Sequence, residues 1–183
     1  MTKQTSLTGS AGEHYVLFRL LSLGYVAGLA PERAPNVDII VTDLQTHNAL
    51  NIQVKTRNQI GGDQGWHMKA KHENIVSDNL FYFFIDLPKN IGEPKALDGP
   101  PAIYILPSKI VATVIKTIHG IWLKTPGRKG RIHKDSTMRR LLPDYSKVLK
   151  SDHSFIKKHS AGWLDEYREN WKLIEKKLRE NLT

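Results

Sequence analysis

A chain of 183 residues, 40% hydrophobic and 25% charged, is long enough to bury one sizeable core, as one domain or one domain with an appendage. The absence of cysteine excludes a disulfide framework, a thiolate nucleophile and a zinc-finger site, and leaves oxygens and histidines to hold any metal. The net charge is +9, and no apolar run approaches the ~18 residues of a membrane span, the longest being Leu80 to Ile85.

The opening residues MTKQTSLTGS contain no apolar h-region, so neither a signal nor an anchor is expected and a cytoplasmic location is the default. Ser10-Ala-Gly-Glu13 is expected to open the first helix. Ser10 followed three residues later by Glu13 fits a capping box, in which the glutamate returns to the N-cap amide. Glu13 also shares helical spacing with Leu17, Leu20 and Leu21, on the stripe expected to face the core, where a carboxylate needs a partner. Both roles remain open. Gly24 is placed to end the helix as a C′ glycine.

Tyr25 to Leu29 reads as a short strand, and the turn Pro31 to Pro35 delivers the chain to NVDIIVTDLQTHNALNIQVKTR, residues 36–57. Two β-branched runs, Val37 to Val41 and Ala49 to Val54, joined by a polar connection, predict a β-hairpin. A register that buries Ile39, Val41, Ile52 and Val54 on one side puts Asp38 on the other with Gln53 and Lys55, because alternate strand residues face opposite ways. The structural account of that convergence is a cross-strand ion pair between Asp38 and Lys55, which contributes little at a sheet edge.

A helix carrying Glu13, a strand carrying Asp38 and a strand carrying Gln53-Val54-Lys55 resemble the restriction-endonuclease-like, PD-(D/E)xK nuclease superfamily. The likeness is greatest to its Holliday-junction-resolvase-like and uncharacterised bacterial members, and it covers roughly the first 110 residues. Two departures stand out. Pro35 is three residues before Asp38 instead of directly before it, and Gln53 replaces the second acidic residue. The resemblance implies an α/β fold with a mixed central sheet flanked by helices, and hydrolysis of DNA phosphodiester bonds. It implies that Glu13, Asp38 and Gln53, with a backbone carbonyl near Val54, hold Mg²⁺ or Mn²⁺, and that Lys55 orients or deprotonates the attacking water. Glu13, Asp38, Gln53 and Lys55 are the catalytic residues in that account.

Arg33 and Arg57 flank this constellation and are candidate phosphate contacts. Gly61 to Gly65 is expected to be a flexible loop. Trp66 to Glu73 has no decisive periodicity; His67 and His72, five apart, fall on different helix faces and are expected to be exposed rather than to share a metal. Leu80 to Ile85 reads as a strand buried on both faces and as the central strand of the sheet. A loop from Lys89 to Pro101 leads to a strand over Ala102 to Leu106. Pro107-Ser108 then starts a helix over Lys109 to Thr117, with Ile110, Val111, Val114 and Ile115 on its core side. The order suits an α/β core over residues 1–118.

Residues 104–159 carry 13 Lys and Arg against 3 Asp and Glu, a net +10, whereas residues 1–103 carry 9 against 10 and residues 160–183 carry 5 against 5. Such clustering is the footprint of a polyanion binder, and nucleic acid is the polyanion expected. Arg128, Lys129, Arg131, Lys134, Arg139 and Arg140 are the candidate contacts, the first two in the turn Thr125 to Gly130. Ser160 is expected to cap a last helix whose Leu164, Tyr167, Trp171, Ile174 and Leu178 form a seam of about two heptads. That seam is too short to hold alone. It packs on its own domain, within an appendage spanning 119–183, or forms a homodimer contact. The sequence therefore supports a metal-dependent DNA nuclease, with an inactive nucleic-acid-binding module on the same fold as the alternative and a protein-interaction domain as a weaker third reading.

Overall fold

Helix, strand and hairpin follow one another as expected in the computed structural model, which describes residues 2–58, 65–88, 99–149 and 152–180. Helix α1 (Thr2–Ser22) precedes β1 (Val26–Leu29), β2 (Ile39–Thr42), β3 (Ala49–Asn58) and β4 (Trp66–Lys69). A 3₁₀ turn (Ala70–Glu73) leads to β5 (Leu80–Leu87) and β6 (Ala102–Pro107). Helix α2 (Ser108–Lys124), β7 (Met138–Leu141), α3 (Ser154–Lys158) and α4 (Lys172–Leu178) complete the chain. The fold is α/β. The main sheet runs β1-β2-β3-β5-β6 and is mixed: β3 and β5 are parallel, the other neighbours antiparallel.

The α1 helix starts well ahead of Ser10, so Ser10 lies inside it and forms no capping box with Glu13; its carbonyl lies 2.8 Å from His14 Nδ1. The core stripe of α1 is Val16 and Leu20, both fully buried, while Leu21 is 51% exposed. Gly24, at φ 86°, ends the helix in the left-handed conformation that glycine adopts without strain. Gly12 has a different purpose. A Cβ there would lie 1.9 Å from Thr56 Oγ1, so the missing side chain is what lets α1 lie against β3 and brings Glu13 to the hairpin.

One face of the sheet, with Ile39, Val41, Ile52, Val54, Phe83 and Ile105, is covered by Val16 and Leu20 of α1 and by Ile174 and Leu178 of α4. On the opposite face, Tyr82, Phe84 and Leu106 lie under α2 and under a second, two-stranded sheet of β4 and β7. Leu80 to Ile85 is buried on both faces as expected, yet β3 rather than β5 is the middle strand, because β1 and β2 add to the far side of β3. Cover on the second face stops at β3. Gly28, Ile40 and Asn51 pair across β1, β2 and β3 on that face and are all exposed, Ile40 to 44%.

The C-terminal seam is not one helix. A 3₁₀ turn (Asp165–Tyr167) and α4 are separated by Glu169 at φ 49°, whose amide donates to Ile103 O at 2.9 Å while Arg168 bridges to Tyr104. The chain thus crosses the sheet edge beside β6. Leu164 and Tyr167 join the core on one face, and Trp171, Ile174 and Leu178 join it on the other. A heptad pattern is satisfied by two sides of one sheet, so these five residues do not form one continuous seam. Ser160 caps no helix; its hydroxyl donates to Lys157 O at 2.9 Å. Among the described residues no helix is long and apolar enough to cross a membrane.

Candidate active site

Asp38 directly precedes β2. The antiparallel register pairs Ile39 with Ile52, so one step outward Asp38 faces Gln53. The Asp38 amide donates to Ile52 O at 2.8 Å and extends the ladder by that step. Its side chain then turns to β3: Asp38 Oδ2 accepts from Gln53 Nε2 at 2.8 Å and from the Val54 amide at 2.7 Å. The cross-strand ion pair to Lys55 is therefore not how Asp38 is satisfied. Gln53 is only 6% exposed, and its Oε1 is buried with no hydrogen-bond partner among the described residues. A buried carbonyl oxygen without a donor is costly unless something else fills its lone pairs.

Lys55 lies two residues along the same face of β3, beside the parallel strand β5. Burial pushes its ammonium below the usual lysine pKa and Lys71 adds to this, while Asp38 and Glu13 oppose it. Glu13 shows the complementary shift. Burial, then the Asp38 carboxylate, raises its pKa above the ordinary 4.5, against the smaller influence of His14 and Lys55. The Glu13 carboxyl, the Asp38 carboxylate and the orphaned Gln53 oxygen thus lie in one neighbourhood. The four residues singled out by sequence are brought together.

His72 and Tyr82 also belong to this neighbourhood. Tyr82 pairs in register with Gln53, and its hydroxyl lies 2.8 Å from His72 Nδ1. His72 was expected to be exposed; it is 4% exposed, because the 3₁₀ turn folds it onto β5. A tyrosine inside a fully buried strand needs a partner for its hydroxyl, and that requirement was the available signal. Burial, with Lys55, Lys71 and Lys69 nearby, lowers the His72 pKa to about 4 from 6.5. The unfolded chain therefore binds this proton first as pH falls, and stability should drop between pH 6.5 and 4 by about 2–3 kcal/mol. His72→Gln, which keeps a hydrogen-bonding group for Tyr82 without titrating, should lose that part of the acid slope in denaturant unfolding followed from about pH 8 to 4. An unchanged slope would remove His72 as its source.

The candidate phosphate contacts separate into two groups. The Arg57 guanidinium is held by Asp86, Nη2 to Oδ2 at 2.8 Å and Nε to Oδ1 at 3.1 Å, and lies 3.9 Å from the Trp66 ring centroid. Arg139 is 7% exposed and bound to Glu73 and to the carbonyls of Ser136 and Met138. Arg57 thereby ties β4 to the main sheet through Trp66, and Arg139 ties β7 to the 3₁₀ turn that follows β4. Arg33, in the turn before Asp38 at φ 70°, is exposed, as are Lys129, Arg131 and Lys134. Arg140 is half-buried opposite His67. The side chain of Arg128 lies outside the described residues, as do most of the expected loops at 61–65 and 89–101.

No family model matches the chain, and no curated protein matches it in sequence. Its structure is similar to the solved structure of a bacterial homing endonuclease at 14% sequence identity and a TM-score of 0.48, over 97% of this chain and 94% of that one.

Proposed function

We propose that this protein is a metal-dependent nuclease that hydrolyses DNA phosphodiester bonds on a restriction-endonuclease-like core. The observation that carries the reading is the buried, unpartnered Gln53 Oε1 beside Asp38, with Glu13 and Lys55 converging on the same strand. Among the described residues no group of three or more His, Asp or Glu side chains could hold a metal ion; the donors of the proposed site are the carboxylates of Glu13 and Asp38 and the amide oxygen of Gln53. Hard cations accept that set, and Glu13, Asp38 and Gln53 would hold Mg²⁺ or Mn²⁺. Such an ion supplies charge neutralisation at the scissile phosphate. Lys55, held among those carboxylates, orients the attacking water and donates to the phosphoryl oxygens as negative charge builds on them. The leaving 3′ or 5′ oxygen departs in line with the entering one.

The alternative is a nucleic-acid-binding module that has the fold without the chemistry. It draws on Gln53 too, since an amide in place of a carboxylate removes one negative charge. With Glu13 and Asp38 as its anions the site carries −2, which balances one divalent ion and poorly holds two like ions about 4 Å apart. One weakly bound metal follows. In plasmid nicking against Mg²⁺ or Mn²⁺ concentration, Gln53→Glu should shift half-saturation to lower metal by about tenfold or more, and Glu13→Gln should shift it higher by at least as much. DNA binding with no nicking in wild type or Gln53→Glu, at any metal concentration, would support the binding module instead.

A further inference from the structure

A cavity of about 320 Å³, lined by none of Glu13, Asp38, Gln53 and Lys55, lies between α2 and β7 with the chain that follows β7. Its floor is apolar, with Ile115, Ile118, Leu142, Leu149 and the ring of Tyr145, whose hydroxyl is turned away to Arg140 O at 3.0 Å. Met138 and Val148 stand at its mouth, 47% and 48% exposed. Aromatic rings border it: Trp122 stacks with His119 at 5.3 Å between centroids and with His133 at 4.0 Å. Arg140, Arg139 and the rings of His67 and His119 also line it; Arg139 is bound to Glu73, and Asp135 lies 2.7 Å from His119 Nε2 and 3.5 Å from Arg139 Nη1.

The volume is at the lower end of the range for small-molecule sites, suited to one nucleotide and too small for an oligomer. Apart from His67, the lining residues all fall between Ile115 and Leu149, within the stretch that carries the chain's excess of positive charge. An apolar slot bordered by stacked rings takes the π-face of a base, and an arginine beside it takes the attached phosphate. We infer that this cavity binds a single nucleotide unit, with the base against Ile118 and Leu149 and the phosphate towards Arg140. This rests on the nucleic-acid-binding part of the proposed function. The nucleotide is either extruded from a bound duplex or free in solution.

Methionine-methyl NMR tests it, because Met138 lines the cavity and the buried Met68, in the core of the β4–β7 sheet, serves as an internal control. The full chain is titrated without metal, first with deoxyadenosine monophosphate and then with a short DNA duplex. A saturable ring-current shift of Met138 alone with the mononucleotide supports a nucleotide site filled from solution. The same shift with the duplex supports an extruded base. Where the mononucleotide binds, Val148→Trp, which fills the mouth from an exposed position, should lower its affinity by about tenfold or more. If the duplex binds, as read by anisotropy, while Met138 is unmoved by either probe, the cavity inference fails and the nuclease reading stands. If neither the duplex nor the mononucleotide binds, both fail.

Discussion

Lys55→Ala should lower the single-turnover rate of metal-dependent DNA cleavage by about 10²–10³-fold, the usual cost of removing one donor that stabilises developing charge. Its affinity for DNA should change little, since the cations of the basic segment all remain. The geometry explains why a conservative change would not rescue it. Lys55 sits on the middle strand, next to Asp38 and Glu13, and burial already lowers its pKa, so its charge state and reach are both set by the fold. A planar guanidinium in Lys55→Arg is larger and presents its donors in a fixed fork instead of the compact point charge of an ammonium. Cleavage by Lys55→Ala at the wild-type rate would remove Lys55 from the chemistry.

Binding to duplex DNA should weaken steeply with salt. Neutralising about six to eight phosphates gives a slope of about −5 to −7 for log affinity against log salt, so that raising salt from about 50 to 200 mM costs about three to four orders of magnitude. Lys129, Arg131 and Lys134 are exposed on the turn that follows α2. Reversing all three to glutamate should flatten the slope by about 3, roughly one unit for each phosphate left without its cation. Fluorescence anisotropy across a salt series provides both numbers, and an unchanged slope would mean that these cations are only solvated. Arg57→Ala and Arg139→Ala should behave differently: their guanidinium groups hold Asp86 and Glu73, so stability should fall before the salt slope does.

The hairpin and its site were legible because strand alternation allows few registers. Burying Ile39, Val41, Ile52 and Val54 together leaves Asp38, Gln53 and Lys55 on the other face, and the observed pairing of Ile39 with Ile52 is one of those registers. The fully apolar run at Leu80 to Ile85 was equally plain as a strand, though its place in the sheet depended on where β1 and β2 would add. Features set by the meeting of distant segments were not legible. Periodicity at Leu164 to Leu178 suggested one helix, yet the same spacing serves a chain that rounds the β6 edge and buries Leu164 on one face and Ile174 on the other. The β4–β7 sheet pairs strands some 70 residues apart, and His72 is buried only because that pairing places the 3₁₀ turn on Tyr82. The helix start was misread locally, since α1 begins at Thr2 and leaves no capping box at Ser10, while the approach of Glu13 to β3 depends on Gly12 meeting Thr56.

The central claim is that Glu13, Asp38 and Gln53 form one cation site next to Lys55. Isothermal titration of Mn²⁺ into the metal-free protein tests it most directly, with Asp38→Ala alongside. One weakly bound ion per chain, lost in Asp38→Ala, is the expected result. Absence of binding by the wild type, or binding that survives Asp38→Ala unchanged, would contradict it.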